Sequence, residues 1–221
     1  MENILLSNIL ENYDGKPRFL GSCALVGNSG NLLDKEYGDF IDSHDFIIRC
    51  NEARTKDYEK YVGSRTDIRI VNCHMFEAAL ENTTMDLNRM KNLFSMFDKD
   101  FLYKIQNENI IVKDNINKQQ FFNIIQKIQN ENKNNVFFVD RSFYNSCFQM
   151  INNYPTTGFI GLMLALKYFN KINCFGFSFY EENTKKHYYE EVKPYDMSSH
   201  RFDMEKQIFK YYEENNKIKI L

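Results

Sequence analysis

The chain has 221 residues, and 28 basic against 30 acidic side chains leave a formal net charge of −2 at pH 7. A hydrophobic fraction of 43% with 15% aromatic residues provides enough apolar material for a folded core and excludes a wholly disordered chain. Because the net charge is near zero, the composition also argues against a nucleic-acid-binding protein, whose surface is basic. We expect a single domain over residues 1–221.

The apolar segments predict neither a membrane span nor a secretory signal. The longest, Phe159–Phe169, is interrupted by Lys167 and is shorter than the roughly 18 residues that cross a bilayer. The first ten residues lack a basic stretch and carry Glu2. We therefore expect a cytoplasmic protein without a transmembrane segment, either free or peripheral at the inner face of a membrane.

The cysteines predict free thiols. Their number is odd and they form no CxxC pair, whereas a disulfide framework needs paired cysteines. Several lie in or beside apolar runs, where a thiol packs as a small hydrophobic group. The five are Cys23, Cys50, Cys73, Cys147 and Cys174.

Short apolar runs recur along the chain, and helical patterns fall between several of them. This alternation indicates the α/β class, with a mostly parallel sheet flanked by helices. The predicted strands are Cys23–Val26, Phe46–Ile48, Ile68–Val71, Ile110–Val112, Val136–Val139, Ile172–Phe177 and Ile218–Leu221. The predicted helices are Met85–Phe97, Gln119–Ile128, Gly158–Phe169 and Arg201–Tyr212.

Glycine and polar residues follow the first predicted strand, at the edge of the sheet where α/β proteins bind ligands. Gly27 and Gly30 allow a ligand to approach the backbone closely, and Asn28, Ser29 and Asn31 offer amide and hydroxyl groups to a phosphate or a base. The turn lacks the GxGxxG pattern of dinucleotide-binding proteins and the GK[ST] ending of a P-loop. It is typical of a nucleotide-binding turn, and a simple strand-to-helix turn is the alternative.

A second turn of this kind, Pro155–Gly158, precedes the apolar helix. Thr156 or Thr157 can cap that helix, whose N-terminus presents free N–H groups and a partial positive charge to an anion. Capping alone would also explain both threonines. The two turns together predict a nucleotide or a sugar nucleotide as the ligand.

Only four histidines are present, and two of them are candidates for chemistry. His187 and His200 follow the strand Ile172–Phe177, near the sheet edge where a general base or a phosphate partner acts. His44 lies in a polar turn and is expected to make structural hydrogen bonds. His74 has no second ligand at a metal-binding spacing.

These segments resemble the sialyl motifs of the animal-type sialyltransferases, glycosyltransferase family 29. Cys23–Asn31, continued through Ile41–Phe46, Arg49–Asn51 and Val62–Thr66, is similar to the large motif. The later motifs follow in family order: the small motif in Pro155–Gly158 and Cys174–Phe177, the third motif in His187–Glu190, and the very small motif in His200 and Glu205. The resemblance covers roughly residues 20–75 and 155–221 and indicates a minimal microbial or viral member of the family.

The resemblance implies inverting transfer of sialic acid from CMP-sialic acid to a galactoside-like acceptor on a glycan or glycolipid. It also implies one Rossmann-like domain of the GT-A variant type that uses neither a metal ion nor another cofactor. Many other glycosyltransferases hold a metal ion through a DxD pattern, which Asp98–Asp100 matches. Because Asp98–Asp100 follows a predicted helix and not a strand, we expect a solvated helix end there.

Individual residues acquire implied roles through the same resemblance. His200 matches the catalytic base, His187 matches the histidine that steadies the leaving phosphate, and Glu205 matches a residue that supports the local structure. The other matched residues are implied to bind the donor: Asn28, Ser29, Asn31, Asn51, Thr156, Thr157, Gly158, Gly176 and Ser178.

The chain departs from the animal pattern at a disulfide bond. Animal members bridge the large-motif cysteine, here Cys23, to a cysteine near the end of the small-motif helix, where this chain has Phe169. We therefore expect no bridge.

Two alternative functions stay open because the motifs do not name the sugar ring. One is transfer of another CMP-activated keto-sugar such as Kdo, and the other is an inactive module that binds a CMP-sugar. An NAD-dependent oxidoreductase is disfavoured by the lack of GxGxxG.

Overall fold

A computed structural model of the chain describes residues 21–80, 97–113, 121–179, 184–189 and 200–221. Within these ranges, one sheet of parallel strands has the order β5-β4-β3-β2-β1-β6-β7. The α/β class and the parallel sheet predicted from the sequence are confirmed. The strands are β1 Ser22–Val26, β2 Phe46–Cys50, β3 Ile68–Val71, β4 Asn109–Val112, β5 Asn135–Phe138, β6 Lys171–Phe175 and β7 Ile218–Ile220.

Helices cover both faces of this sheet. On one face, the helices Arg141–Ile151 (α6), Thr157–Tyr168 (α7) and Phe202–Glu214 (α8) share one buried core with Cys23 and Leu25 of β1, whereas Ala24 and Val26 face the shorter elements on the other side. All four of these β1 residues are fully buried, as expected for a central strand of a parallel sheet. The helices are α1 Gly38–Asp42, α2 Glu59–Val62, α3 His74–Ala78, α4 Phe101–Lys104, α5 Phe122–Asn130, α6 Arg141–Ile151, α7 Thr157–Tyr168 and α8 Phe202–Glu214, with a 3₁₀ helix at Gly30–Asp34.

The observed bounds of the predicted elements differ from the predicted bounds mainly at the ends. The last predicted residues of Ile172–Phe177 are not in β6, because Gly176 leaves the strand with a φ of 71°. Helix α6 was missed, although Asp140 caps it by accepting hydrogen bonds from the amides of its second and third residues. The predicted helix Met85–Phe97 lies outside the described residues except for Phe97.

The strand order reverses between β1 and β6, and this reversal positions the site. From β1 the chain adds β2 to β5 on one side, then returns to place β6 and β7 on the other. The amide of Gly27 donates to the carbonyl of Phe175 over 2.8 Å and so continues the pairing one residue past the end of β1. In open α/β sheets, ligands bind in the crevice at such a switch point.

Two further predictions concern thiols and membrane spans. All five cysteines are free thiols in the structure. Among the described residues, no helix has the length and apolar character needed to cross a membrane.

Candidate active site

A cavity of about 160 Å³ opens at the carboxyl edge of the sheet, over the switch point between β1 and β6. Every site residue proposed from the sequence lines it except Asn31. The 3₁₀ helix that begins at Gly30 carries Asn31 out of the cavity lining. The cavity geometry therefore does not support a donor-binding role for Asn31, and this role stays a prediction.

Glycines bring the two sides of the switch point into direct contact. A Cβ on Gly27 would lie 2.5 Å from the carbonyl oxygen of Gly176, and a Cβ on Gly176 would lie 2.6 Å from Leu32 Cδ1. The amide of Ser29 donates to the Gly176 carbonyl over 3.2 Å, and its hydroxyl lies 2.8 Å from that of Ser178. A side chain at Gly27 would therefore push against the chain that follows β6, and a side chain at Gly176 would push against Leu32 of the 3₁₀ helix.

Asn28 presents an amide that the described residues leave unsatisfied. Its Oδ1 is buried without a hydrogen-bond partner among them, as is Oδ1 of Asn31. A buried unsatisfied amide group costs about 1–3 kcal/mol. Because Asn28 lines the cavity, a bound polar ligand can satisfy this group, which is how a binding residue behaves.

Asn51, just after β2, is held in place by a buried ion pair. Its φ of 49° is left-handed, and its carbonyl accepts a 2.7 Å hydrogen bond from Arg69. Arg69 is itself held by two bonds of 2.5 and 2.9 Å to Glu108. The Asn51 side chain accepts from the amide of Asn72 over 2.9 Å and from the hydroxyl of Thr157 over 3.5 Å. The N-terminus of α7 is thereby connected to β2 and β3.

Thr156 caps α7 and also binds a buried carboxylate. Its Oγ1 accepts from the amide of Phe159 over 3.0 Å, as predicted for a capping residue. The same hydroxyl and the Thr156 amide donate to Glu205 over 2.7 and 2.8 Å. Glu205 is 3% exposed, and burial raises its pKa to about 7, although the Thr156 hydrogen bonds and the charge of Lys113 act in the opposite direction.

Three consecutive residues, Tyr154–Thr156, each hold one ionisable side chain of the cavity. The carbonyl of Tyr154 lies 2.8 Å from Nδ1 of His200, and the carbonyl of Pro155 accepts from Nζ of Lys113 over 2.8 Å. Thr156 holds Glu205. Because a carbonyl oxygen only accepts, Nδ1 of His200 carries a proton, and in the neutral ring the lone pair is then on Nε2. This tautomer is the one that a general base at Nε2 requires.

His187 belongs to residues 184–189, which lie over the first turn. The amide of Gly30 donates to the Lys185 carbonyl over 2.7 Å, and the amide of Tyr188 donates to the Asn28 carbonyl over 2.9 Å. The imidazole of His187 stacks on Tyr189 with ring centroids 5.2 Å apart. His187 is thus held beside the turn Gly27–Ser29, and it lines the cavity.

Two other histidines lie outside the cavity lining. His44 is 4% exposed; its Nδ1 donates to the Phe40 carbonyl over 2.8 Å and its Nε2 accepts from Asn173 over 2.7 Å. Its predicted structural role is confirmed. His74 Nδ1 lies 2.8 Å from the Glu77 carboxylate.

The DxD-like segment has its own ionic partners. Asp98 pairs with Lys104 over 2.8 Å and does not line the cavity. Within the described ranges, no group of three or more His, Cys, Asp and Glu side chains is arranged to hold a metal ion.

Sequence reasoning missed several lining residues that also follow strands. Asn72 follows β3, and Lys113 follows β4. Ligands of α/β proteins bind beyond the carboxyl ends of the strands, and applying this rule after β3 and β4 would have identified both residues. Cys50, the last residue of β2, is buried, and burial raises the pKa of its thiol to about 12. The other lining residues that were missed are Phe97, Phe177, Phe179, Lys186 and Phe202.

A glycine-lined cavity with convergent polar groups, at the switch point of a parallel sheet, is the ligand site of nucleotide-binding α/β proteins. The chain belongs to glycosyltransferase family 29 (sialyltransferase), whose family model matches residues 3–217. The family resemblance inferred from the sequence is thereby confirmed.

Two curated relatives differ in the sugar that their names specify. A Gallus gallus CMP-N-acetylneuraminate-beta-galactosamide-alpha-2,3-sialyltransferase 1 is 33% identical over 172 residues, which cover 76% of this chain and 47% of that protein. The Arabidopsis thaliana beta-1,6-galactosyltransferase GALT29A is 45% identical over 76 residues, which cover 32% of this chain and 19% of that protein. The chain spans about half the length of the animal relative.

Solved structures share the fold. A mammalian sialyltransferase superposes with a TM-score of 0.63 at 24% identity, over 90% of this chain and 68% of that chain. The Campylobacter jejuni alpha-2,3-sialyltransferase Cst-I superposes with a TM-score of 0.55 at 17% identity, over 90% of this chain and 74% of that chain. At these identities the likeness establishes the fold alone.

Proposed function

We propose that the chain transfers sialic acid from CMP-sialic acid to a galactoside hydroxyl of a glycan or glycolipid, with inversion at the anomeric carbon. His200 carries this proposal, because the Tyr154 carbonyl holds its Nδ1–H and the ring lines the cavity at the switch point. Family membership and the names of the animal relatives support the choice of donor.

The reaction requires one proton transfer and one displacement. Nε2 of His200 takes the proton from the acceptor hydroxyl while that oxygen attacks the anomeric carbon. The bond from this carbon to the phosphate oxygen breaks on the opposite face, and its electron pair leaves with CMP. His187 donates a hydrogen bond to the phosphate as negative charge develops there.

The nucleotide half of the donor lies over the switch point in this proposal. The backbone of Gly27–Ser29 and the N-terminus of α7 offer N–H groups to the phosphate. Asn28 and Asn51 contact the nucleotide, Thr156–Gly158 hold the CMP portion, and Gly176 and Ser178 complete its pocket. CMP leaves with one phosphate, which these groups and His187 can stabilise, and we therefore propose that no metal ion is required.

We add three assignments to this activity: a fold type, a domain extent and a cellular location. We place the fold in the GT-A variant type, because a single described sheet carries the whole cavity. We keep residues 1–221 as one catalytic domain. We also propose a cytoplasmic location, since five free thiols suit a reducing compartment.

A second candidate donor is an activated galactose, favoured by the plant relative that is named a galactosyltransferase. A CMP-activated Kdo is a third donor with the same leaving group. Both can be added to one donor screen.

The test measures CMP release from CMP-sialic acid with and without lactose, in the presence of EDTA. We expect turnover that lactose stimulates and EDTA leaves unchanged. His200→Ala should lower the rate by about 10²–10⁴-fold, the usual contribution of a general base. His74→Ala, which removes a histidine outside the cavity lining, is the matched control and should retain the rate.

Three results contradict the proposal in different ways. Turnover only with activated galactose or CMP-Kdo would show that CMP-sialic acid is not the donor. CMP binding without turnover of any donor would show that the chain is an inactive module that binds CMP. Loss of activity on adding EDTA refutes metal independence.

A further inference from the structure

Lys113 places a buried positive charge in the cavity. It follows β4, is 3% exposed, and lines the cavity. Burying a charged side chain is costly unless other groups compensate for the lost water. One compensating contact is the Pro155 carbonyl, which accepts one of the three N–H bonds of the ammonium group over 2.8 Å.

The Pro155 contact connects Lys113 to the segment that also holds His200. His200 bonds to the carbonyl of Tyr154, the residue directly before Pro155. Glu205, bound to the next residue, senses the Lys113 charge, which acts to lower its pKa. Both Glu205 oxygens already accept hydrogen bonds from Thr156. Lys113 and the proposed base are therefore held by consecutive residues and line the same cavity.

Lys113 lies on the side of the cavity away from the turn Gly27–Ser29. Its strand, β4, is three positions from β1 in the sheet, which corresponds to about 14 Å at the usual strand spacing. The turn Gly27–Ser29 follows β1. A donor whose CMP portion contacts both this turn and Thr156–Gly158 can place its sugar beside Lys113, because Lys113 contacts Pro155, which directly precedes Thr156.

The chemistry of the donor identifies the group that a cation at this place meets. In sialic acid and related keto-sugars, the anomeric carbon carries a carboxylate directly. A base that serves the oxygen attacking this carbon is necessarily close to that carboxylate. We propose that Lys113 binds the carboxylate of the donor sugar and so selects acidic keto-sugars over neutral sugars. This inference rests on the proposed function.

The test compares two ligands that differ by the acidic sugar. Titration calorimetry of the full chain with CMP and with CMP-sialic acid gives two dissociation constants without acceptor. Lys113→Met should weaken binding of CMP-sialic acid at least tenfold, about 1.4 kcal/mol, while the affinity for CMP stays constant. Lys113→Arg retains the charge and should restore most of the loss. Lys60→Met, on the exposed surface, is the matched lysine control.

A measurement on the unaltered chain covers the case in which Lys113→Met does not fold. The methyl ester of CMP-sialic acid lacks the negative charge of the sugar carboxylate. It should therefore bind the wild-type chain at least tenfold more weakly than the acid. Equal affinity for acid and ester overturns the inference. So does a folded Lys113→Met protein that loses affinity for CMP and CMP-sialic acid by the same factor, since Lys113 would then only hold Pro155. Wild-type protein that binds neither ligand overturns the proposed function itself.

Discussion

Replacing Glu205 with glutamine tests the buried carboxylate that joins α8 to Thr156. Burial raises the pKa of Glu205 from its ordinary 4.5 to about 7. The folded protein therefore holds this proton more tightly than the unfolded chain does. The stability that this group contributes is complete below pH 4.5 and is lost as the pH rises through about 7.

The size of this effect follows from the two pKa values. The interval from 4.5 to about 7 corresponds to about 3 kcal/mol, at 1.36 kcal/mol for each pKa unit. Glutamine has the same shape and does not titrate. The free energy of unfolding of Glu205→Gln, measured relative to wild type, should therefore rise by about 3 kcal/mol between pH 4.5 and about pH 8.

Urea unfolding of both proteins across this pH range measures the difference. The other ionisable groups are common to both proteins, so their contributions cancel. Glu214→Gln, which removes an exposed carboxylate from the same helix, is the matched control. A constant difference for Glu205→Gln would refute the reasoning, because the carboxyl group would then not change its proton affinity on folding.

Two further predictions concern the switch point and the thiols. Gly176→Ala should lower the free energy of unfolding by about 1–3 kcal/mol. The new Cβ would lie 2.6 Å from Leu32, and the φ of 71° is strained for alanine. An unchanged thermal midpoint would contradict this prediction. Alkylation of the unfolded chain without reductant should modify five thiols, whereas three modified thiols in the mass spectrum would mean that a disulfide joins the other two.

The strands could be predicted because their residues are apolar on both sides of the sheet. Every residue from Cys23 to Val26 is buried, so the run is continuous in the sequence. The helices α1 and α2 could not be predicted in this way, since elements of five and four residues do not complete the repeat on which periodicity depends. Tertiary contacts stabilise them: the carboxylate of Asp42 accepts from the amide of Ser64, just after α2.

The site could be predicted where glycine and capping residues mark a turn. The glycines Gly27 and Gly30, and the two threonines at the start of α7, carry such a signal. Lys113 carries none, because a lysine after a short strand is ordinary in a sequence. Its role depends on β4 lying beside β3 and on Pro155 lying opposite, and local sequence encodes neither. Asn31 shows the reverse case, since a 3₁₀ helix moves a promising residue out of the lining.

The pairing of β1 with β6 also sets an order of events during synthesis. Ser29 and Ser178, which meet at the cavity floor, are 149 residues apart. At a translation rate of about 5–20 residues per second, β6 leaves the ribosome roughly 7–30 s after β1. During this interval one edge of β1 has no partner strand and is open to pairing with other chains. The ligand cavity is therefore one of the last parts of the nascent protein to assemble, and chaperone binding would be most useful before that moment.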